Sequence, residues 1–222
     1  MNVSIFDLDR TLTKVGTYTP FLIFAAFHRA PWRLILFPLW ILAMATYVLG
    51  GSDRKKLKEF GFLLLIGRQI PEDSLRHLAE RFVDQILPKI LRPGGQQHLL
   101  DEKAKGHFLI LATASSDFYA QVIASRLGFD AVVATRQTRL ASGAYSYHIA
   151  GRNCYGDDKL MMVQEALNTV PFARDAGVFS FYSDSAADAP MLNWVQNAYA
   201  VNPSRQLRKL AKTRGWPVLD FA

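Results

Sequence analysis

The chain has 222 residues, half of them apolar and only 20% charged, which suits one large domain or a core with a smaller insert and excludes a disordered chain. A net charge of +7 favours an anionic partner: nucleic acid, a phosphate-bearing substrate or an acidic membrane surface. The single cysteine, Cys154, excludes an internal disulfide, reads as structural and suits a reducing compartment.

Residues 2–6 read as a short buried strand, and Asp7 and Asp9 follow where it ends. Because that strand carries Asp7, Asp9 and Arg10 at its end, no secretory signal is expected. Carboxylates at the end of an apolar strand are costly unless something neutralises them, and strand carboxyl ends are where α/β sheets hold ligands. The next stretch is unusually apolar. Residues 21–27 lead to His28, Arg29, Pro31, Trp32 and Arg33, after which residues 34–49 carry no charge. That run falls short of the ~20 residues a membrane span needs, so burial within the protein is the default. Trp32, Pro38, Trp40 and Tyr47, with basic residues at both ends, fit a membrane-surface anchor instead. Ser52 is expected to cap a helix that starts with Arg54, Lys55, Lys56 and Lys58. Pro71 is expected to open an amphipathic helix with Leu75, Leu78, Phe82, Ile86 and Leu87 on one face.

Beyond Pro93 helical and extended patterns alternate. Residues 96–105 read as a helix stopped by Gly106, residues 107–112 as a central parallel strand, and residues 117–127 as a helix closed by Gly128. A strand over 131–135 is followed by a β-hairpin over 140–149 with Ser142 and Gly143 at its turn. A helix over 157–167, a strand over 178–182, a helix over 187–194 and a strand over 198–201 come next, and Pro203 starts a last, basic helix. This alternation predicts a doubly wound parallel α/β sheet with right-handed crossovers.

Three strand ends in this reading carry polar residues, Asp7 with Asp9, Thr113, and Asp184 with Asp188, while Lys159 opens a helix after Gly156. Taken singly, Thr113, Ser115 or Ser116 reads as a helix cap and Lys159 as a solvated helix residue. In order they resemble the four motifs of the haloacid dehalogenase (HAD) superfamily of phosphatases, and within it the phosphoserine-phosphatase-like branch. The matching segments are Asp7-Leu8-Asp9-Arg10-Thr11, Leu111-Ala112-Thr113-Ala114-Ser115, Gly156-Asp157-Asp158-Lys159 and Tyr182-Ser183-Asp184-Ser185-Ala186-Ala187-Asp188.

The resemblance implies a HAD-like Rossmannoid core formed by residues 1–13 and 93–222, a small all-α cap inserted over residues 14–92, Mg²⁺ as cofactor and a phosphomonoester substrate. It implies Asp7 as the nucleophile that becomes an aspartyl-phosphate, and Asp9 as the acid that protonates the leaving oxygen and later takes a proton from water. Asp7 and Asp184 would hold the ion through their side chains and Asp9 through its carbonyl. Thr113 and Ala114 would bind the phosphate, Lys159 would neutralise charge there, and Asp188 would position a water on the ion without touching the ion itself. The chemistry suits these residue types. A phosphomonoester carries about two negative charges, so a carboxylate approaches it only when cations intervene.

On this reading residues 34–49 cannot cross a membrane once, because Asp7 precedes them and Asp184 follows, yet both are to share one ion. A re-entrant or interfacial hairpin, or a cap core in which the helices bury one another, satisfies that condition. Phosphoserine phosphatases of the family carry a glutamate seven residues after the second aspartate, where this chain has Gly16, and that departure counts against phosphoserine. The apolar, basic-flanked cap resembles instead the bacterial phosphatidylglycerophosphatase C branch, which acts on a lipid phosphate. The expectation is therefore Mg²⁺-dependent hydrolysis of a phosphomonoester, on a membrane lipid phosphate such as phosphatidylglycerophosphate, with a soluble small-metabolite phosphatase as the alternative. An anionic lipid or membrane surface is the expected partner. No obligate protein partner is inferred, and no nucleic acid, since no recognition motif is present. The expected location is cytoplasmic, peripheral on the inner face of the membrane, with the basic helix bearing Arg205, Arg208, Lys209, Lys212 and Arg214 on the same surface.

Overall fold

The computed structural model describes residues 1–51, 53–169 and 177–222. Strand β1 (Val3–Phe6) is fully buried at the centre of the molecule. β2 (Gln69–Ile70) lies in the inserted region, and β3 (Phe108–Ser116) and β4 (Ala131–Thr135) follow it. A hairpin of β5 (Gln137–Arg139) and β6 (Tyr145–Ile149) precedes β7 (Phe179–Ser183), β8 (Asn197–Val201) and β9 (Val218–Leu219). Six of these strands form one parallel sheet in the order β4-β3-β1-β7-β8-β9. The chain builds outwards from β1 in both directions, so the strand order reverses at β1. That point is where an open α/β sheet leaves a crevice outside the strand carboxyl ends.

Alternation along the strands fixes which helices cover which face. Val3 and Ile5, with Ile110 and Ala112, pack with Val163 of α7 (Asp157–Asn168), Met191 of α8 (Ala189–Trp194) and Leu207 of α9 (Arg205–Arg214). Phe6, Leu109 and Leu111 point the other way, into a cluster with Leu99 of α5 (Pro93–Ala104) and Tyr119 of α6 (Asp117–Leu127). Both faces of the sheet are therefore covered, as the unbroken apolar run of β3 requires.

The inserted residues supply α1 (Tyr18–Arg29), a 3₁₀ turn over Pro31–Leu36, α2 (Phe37–Val48), α3 (Arg54–Leu65) and α4 (Glu72–Ile90). α4 buries Leu75, Leu78, Phe82 and Leu87 as its periodicity predicts, and it packs along α6. α1 buries Phe21, Leu22, Ala25 and Ala26, and α3 buries Phe62 and Leu65. α2 differs, for only Trp40 is buried on it. The indole lies directly on the backbone of α3 at Gly61, where an added Cβ would come within 2.6 Å of Trp40 Cζ3 and 2.9 Å of Leu22 Cδ1.

Four expectations need correction. The cap is not wholly helical: β2 joins the open edge of β6, making a three-stranded sheet of order β2-β6-β5 that ties the insert to the core hairpin. β3 does not stop at residue 112 but continues to Ser116, held by pairing with β4 up to Thr135, so Thr113 and Ala114 are strand residues. Ser52 lies outside the described residues. The side chain that caps α3 is that of Asp53, whose Oδ1 accepts from Lys56 N at 2.8 Å. Finally, the last helix starts at Arg205 and not at Pro203, with Ser204 as its cap, whose Oγ accepts from Leu207 N at 3.3 Å.

Candidate active site

Asp7 follows directly on β1, and its amide donates to Tyr182 O of the neighbouring β7 at 2.9 Å. The chain then makes a single π-type turn over Leu8–Leu12, in which Arg10 takes a φ of 64°. A non-glycine residue in this left-handed region is strained, and the turn it permits brings Thr11 back beneath Asp7. Thr11 Oγ1 donates to Asp7 Oδ2 at 3.1 Å, accepts from Asp184 N at 3.0 Å and lies 3.5 Å from Asp184 Oδ1. One hydroxyl thus joins the carboxylates at the ends of two adjacent strands.

Lys159, in the first turn of α7, completes the cluster from the other side. Its Nζ donates to Asp7 Oδ1 at 2.7 Å and to Asp188 Oδ2 at 2.8 Å, and all three side chains are buried. Ser183 Oγ donates to the same Asp188 oxygen at 2.6 Å, and Asp188 Oδ1 has no hydrogen-bond partner among the described residues. Burial pulls the Lys159 ammonium down, but Asp188 and Asp7 outweigh it and hold the ammonium charged. Burial raises the Asp7 carboxyl to about 7, with Asp188 and Asp184 adding to the rise against Lys159. Burial and then Asp188 bring Asp184 up to about 6. Three buried carboxylates facing one buried ammonium leave uncompensated negative charge, the condition that a divalent cation relieves.

Asp9 is held differently. Its Oδ1 accepts from Thr17 N at 2.7 Å and Thr17 Oγ1 at 2.8 Å, and its Oδ2 accepts from Ser115 Oγ at 2.9 Å. The start of α1 and the end of β3 therefore fix this carboxylate between cap and core. Thr113 is fully buried, and its Oγ1 accepts from Ser115 N at 3.0 Å. Ala114 faces a cleft of about 380 Å³, which is also lined by Asp7, Asp9, Lys159, Asp184 and Asp188. Of the residues expected at the site, Thr113 is the one outside this lining.

The cleft lies between the strand ends and the cap, whose contribution is mostly apolar: Tyr18, Trp40, Met44, Tyr47, Val48 and Leu57. Gly16 is part of the wall, with none of the described residues within 4 Å of where a Cβ would stand. Lys58 of α3 was not expected at the site. It reaches from the cap into the core, donating to Ala114 O and, at 2.7 Å, to Asn153 Oδ1. Thr135 Oγ1 donates to the same two acceptors at 2.8 and 3.0 Å. Burial, and then Arg54, pull the Lys58 ammonium down to about 7. Thr11 and Ser183 lie within the motif segments, but nothing in the motifs singles out Thr17, Asn153 or Lys58.

No three His, Cys, Asp or Glu side chains among the described residues make a ready metal cage. Two carboxylates, Asp7 and Asp184, sharing the Thr11 hydroxyl, form an open site of the kind that suits a hard cation retaining several waters.

The sequence model of the haloacid dehalogenase-like hydrolases matches residues 5–193. The chain is 29% identical to the phosphoserine phosphatase SerB1 of Mycobacterium tuberculosis over 228 residues, spanning 98% of this chain and 70% of that protein. It is 26% identical to the histidinol-phosphatase of Neisseria meningitidis over 230 residues, spanning 99% of both. Among solved structures, a Bordetella pertussis protein of unknown function superposes with a TM-score of 0.90 at 28% identity, covering 100% of this chain and 99% of that one.

Proposed function

The chain belongs to the haloacid dehalogenase-like hydrolase family, and we propose that it hydrolyses phosphomonoesters by passing the phosphoryl group through Asp7. The observation that carries this reading is the convergence at the strand ends of Asp7 and Asp188 on Lys159, with Asp184 joined to Asp7 through the Thr11 hydroxyl. The Asp7 carboxylate attacks phosphorus, the P–O bond to the leaving group breaks, and the departing oxygen takes a proton from Asp9. Water then attacks the aspartyl-phosphate, giving its proton to Asp9, and the Asp7 carboxylate is released with inorganic phosphate. Lys159 neutralises charge on Asp7 and the transferring group, and the Thr17 and Ser115 hydrogen bonds hold Asp9 in place for both proton transfers. Mg²⁺, held by the Asp7 and Asp184 carboxylates and the Asp9 carbonyl, would supply the further positive charge that lets two anions meet.

The substrate is a small phosphomonoester whose organic part is apolar or aromatic. The relatives named phosphoserine phosphatase and histidinol-phosphatase support a small-metabolite substrate. Within the cleft the carboxylates are Asp7, Asp9, Asp184 and Asp188, all with roles at the phosphate end, so none is left to read an ammonium. Gly16 leaves open space where phosphoserine phosphatases carry their glutamate, and this speaks against phosphoserine itself.

A lipid phosphate such as phosphatidylglycerophosphate is the second reading, and one observation favours it. Val48 lines the cleft and is also 80% exposed, so the apolar wall of the cleft runs out onto an apolar outer surface. Phosphate release with Mg²⁺ across soluble and lipid monoesters, with and without vesicles, decides between them. Turnover of soluble aryl or imidazole-bearing phosphates without vesicles supports the first reading, turnover of dispersed lipid phosphate alone the second, and no release from any monoester refutes both.

A further inference from the structure

α2 and the turn before it present an apolar stripe to solvent. Ile35, Leu39, Leu42, Thr46 and Leu49 follow one another at spacings of four and three residues, and all are exposed, Ile35 to 80% and Leu42 to 61%. Thr46 adds little polarity, because its hydroxyl donates to Ala43 O at 2.8 Å. The opposite side of the helix is already used, with Trp40 buried on α3 and Met44 and Tyr47 on the cleft. A helix that served only the cap would carry charged or polar residues outside, yet residues 34–49 hold no charge. The segment Pro31–Val48 is long and apolar enough to cross a membrane by length and composition. Its two ends are nevertheless tied into the cap by α1 and α3, so it can lie on a bilayer but not traverse it.

The charge that flanks the stripe in sequence is predominantly basic, with Asp53 the one acid beside it. No acidic residue occurs between Asp9 and Asp53, whereas Lys14, Arg29 and Arg33 lie in that interval and Arg54, Lys55 and Lys56 follow it. Arg29 and Arg33 are fixed beside the entry to α2 by bonds to Ile66 O at 2.6 Å and to Leu63 O and Leu64 O at 3.1 and 2.9 Å. A second copy paired through this face about a two-fold axis would set cation largely against cation, since the one flanking acid, Asp53, is already paired with Lys56 at 3.8 Å. An acidic lipid surface matches both features, apolar area for the acyl boundary and cations for the headgroups. We propose that the outer face of α2 is a docking surface for an acidic lipid bilayer, on which the helix lies in the plane of the interface. This goes beyond the hydrolase reading and holds whether the substrate is a lipid or a soluble ester.

The test is cosedimentation of the full chain with vesicles of phosphatidylcholine alone and of phosphatidylcholine mixed with phosphatidylglycerol, at low and high salt. The expected result is at least about tenfold tighter binding to the acidic vesicles, weakened by salt. Leu39→Glu and Leu42→Glu should each cut that binding about tenfold or more, and the milder Leu42→Ser less, because the outer face loses apolar contact. Neither residue lines the cleft, so hydrolysis of a soluble aryl phosphate and the melting temperature should stay at the parent level and certify the fold. Indifference to acidic vesicles at low salt, or undiminished binding by folded glutamate variants, would overturn the proposal. A dimer in solution that Leu42→Glu dissolves would also overturn it, assigning the stripe to a second copy. If the parent docks but hydrolyses no phosphomonoester, the hydrolase reading fails alone.

Discussion

Lys159 and Asp7 lie 152 residues apart in sequence, and their side chains meet at 2.7 Å in the buried centre of the molecule. The lysine also holds Asp188 at 2.8 Å, so one ammonium serves two carboxylates. Removing one partner of a buried pair leaves charge uncompensated, at a cost of about 3 kcal/mol or more. Lys159→Met should therefore lower stability by about that amount in urea unfolding without divalent ions. Added Mg²⁺ should restore part of it, since a cation can take over the lysine's neutralising role. Phosphate release by this variant should fall about a thousandfold or more, because the charge missing in the ground state is missing in the transition state too.

Thr11 is expected to matter through cation binding. Its hydroxyl bridges Asp7 and the backbone of Asp184, orienting both carboxylates. Groups that orient metal ligands are typically worth about 10–100-fold in affinity. Thr11→Val should shift the Mg²⁺ dependence of phosphate release by that factor, with the maximal rate at saturating Mg²⁺ much less affected. An unchanged Mg²⁺ titration would show that the hydroxyl is incidental.

Gly61 sets how closely α2 can approach α3. A methyl group there would collide with Trp40 and Leu22, at 2.6 and 2.9 Å, both of them buried. Overpacking of this kind costs about 1–3 kcal/mol. Gly61→Ala should lower the unfolding free energy by about that much, despite the better helix propensity of alanine. It should also raise KM more than it lowers kcat, because Trp40 forms part of the cleft wall.

Glu102 provides a pH test away from the site. Burial raises its carboxyl, but hydrogen bonds from Lys105, Ser4 and His107 outweigh that and hold it down at about 2, against an ordinary value of 4.5. A carboxylate lowered on folding adds stability that is full above the unfolded value and disappears as pH falls through the folded one. Glu102→Gln should cost about 2 kcal/mol at pH 7, the range for a hydrogen-bonded buried charge. The gap from the parent should persist down to about pH 4.5 and close towards pH 2. A gap independent of pH would place the effect in packing instead.

The catalytic half was legible because its signals are local. Apolar runs bounded by glycine gave the strands, and α6 runs from Asp117 to Leu127 with Gly128 in the left-handed cap, as its composition predicts. Asp7, Asp9, Lys159, Asp184 and Asp188 come together because each sits where an element begins or ends. What the sequence hid depends on contacts between distant segments. Lys58 looks like part of a solvated basic helix start, yet it belongs to the stripe Lys58, Gly61, Phe62 and Leu65 that α3 buries. That spacing was the available signal, outweighed by the neighbouring charges. β2 is two residues long, and its pairing with β6 leaves no periodicity to read. Thr113 was expected at the end of a strand that stops at residue 112, and pairing of β3 with β4 carries the strand on through it to Ser116.

The central claim is that Asp7 itself carries the phosphoryl group between substrate and water. Acid quenching during turnover of a phosphomonoester with Mg²⁺, followed by peptide mass analysis, reads this directly. The peptide containing Asp7 should carry the mass of one phosphoryl group on that residue, and Asp7→Asn should show neither the adduct nor turnover. An adduct on another side chain, or turnover by Asp7→Asn at the parent rate, would contradict the account.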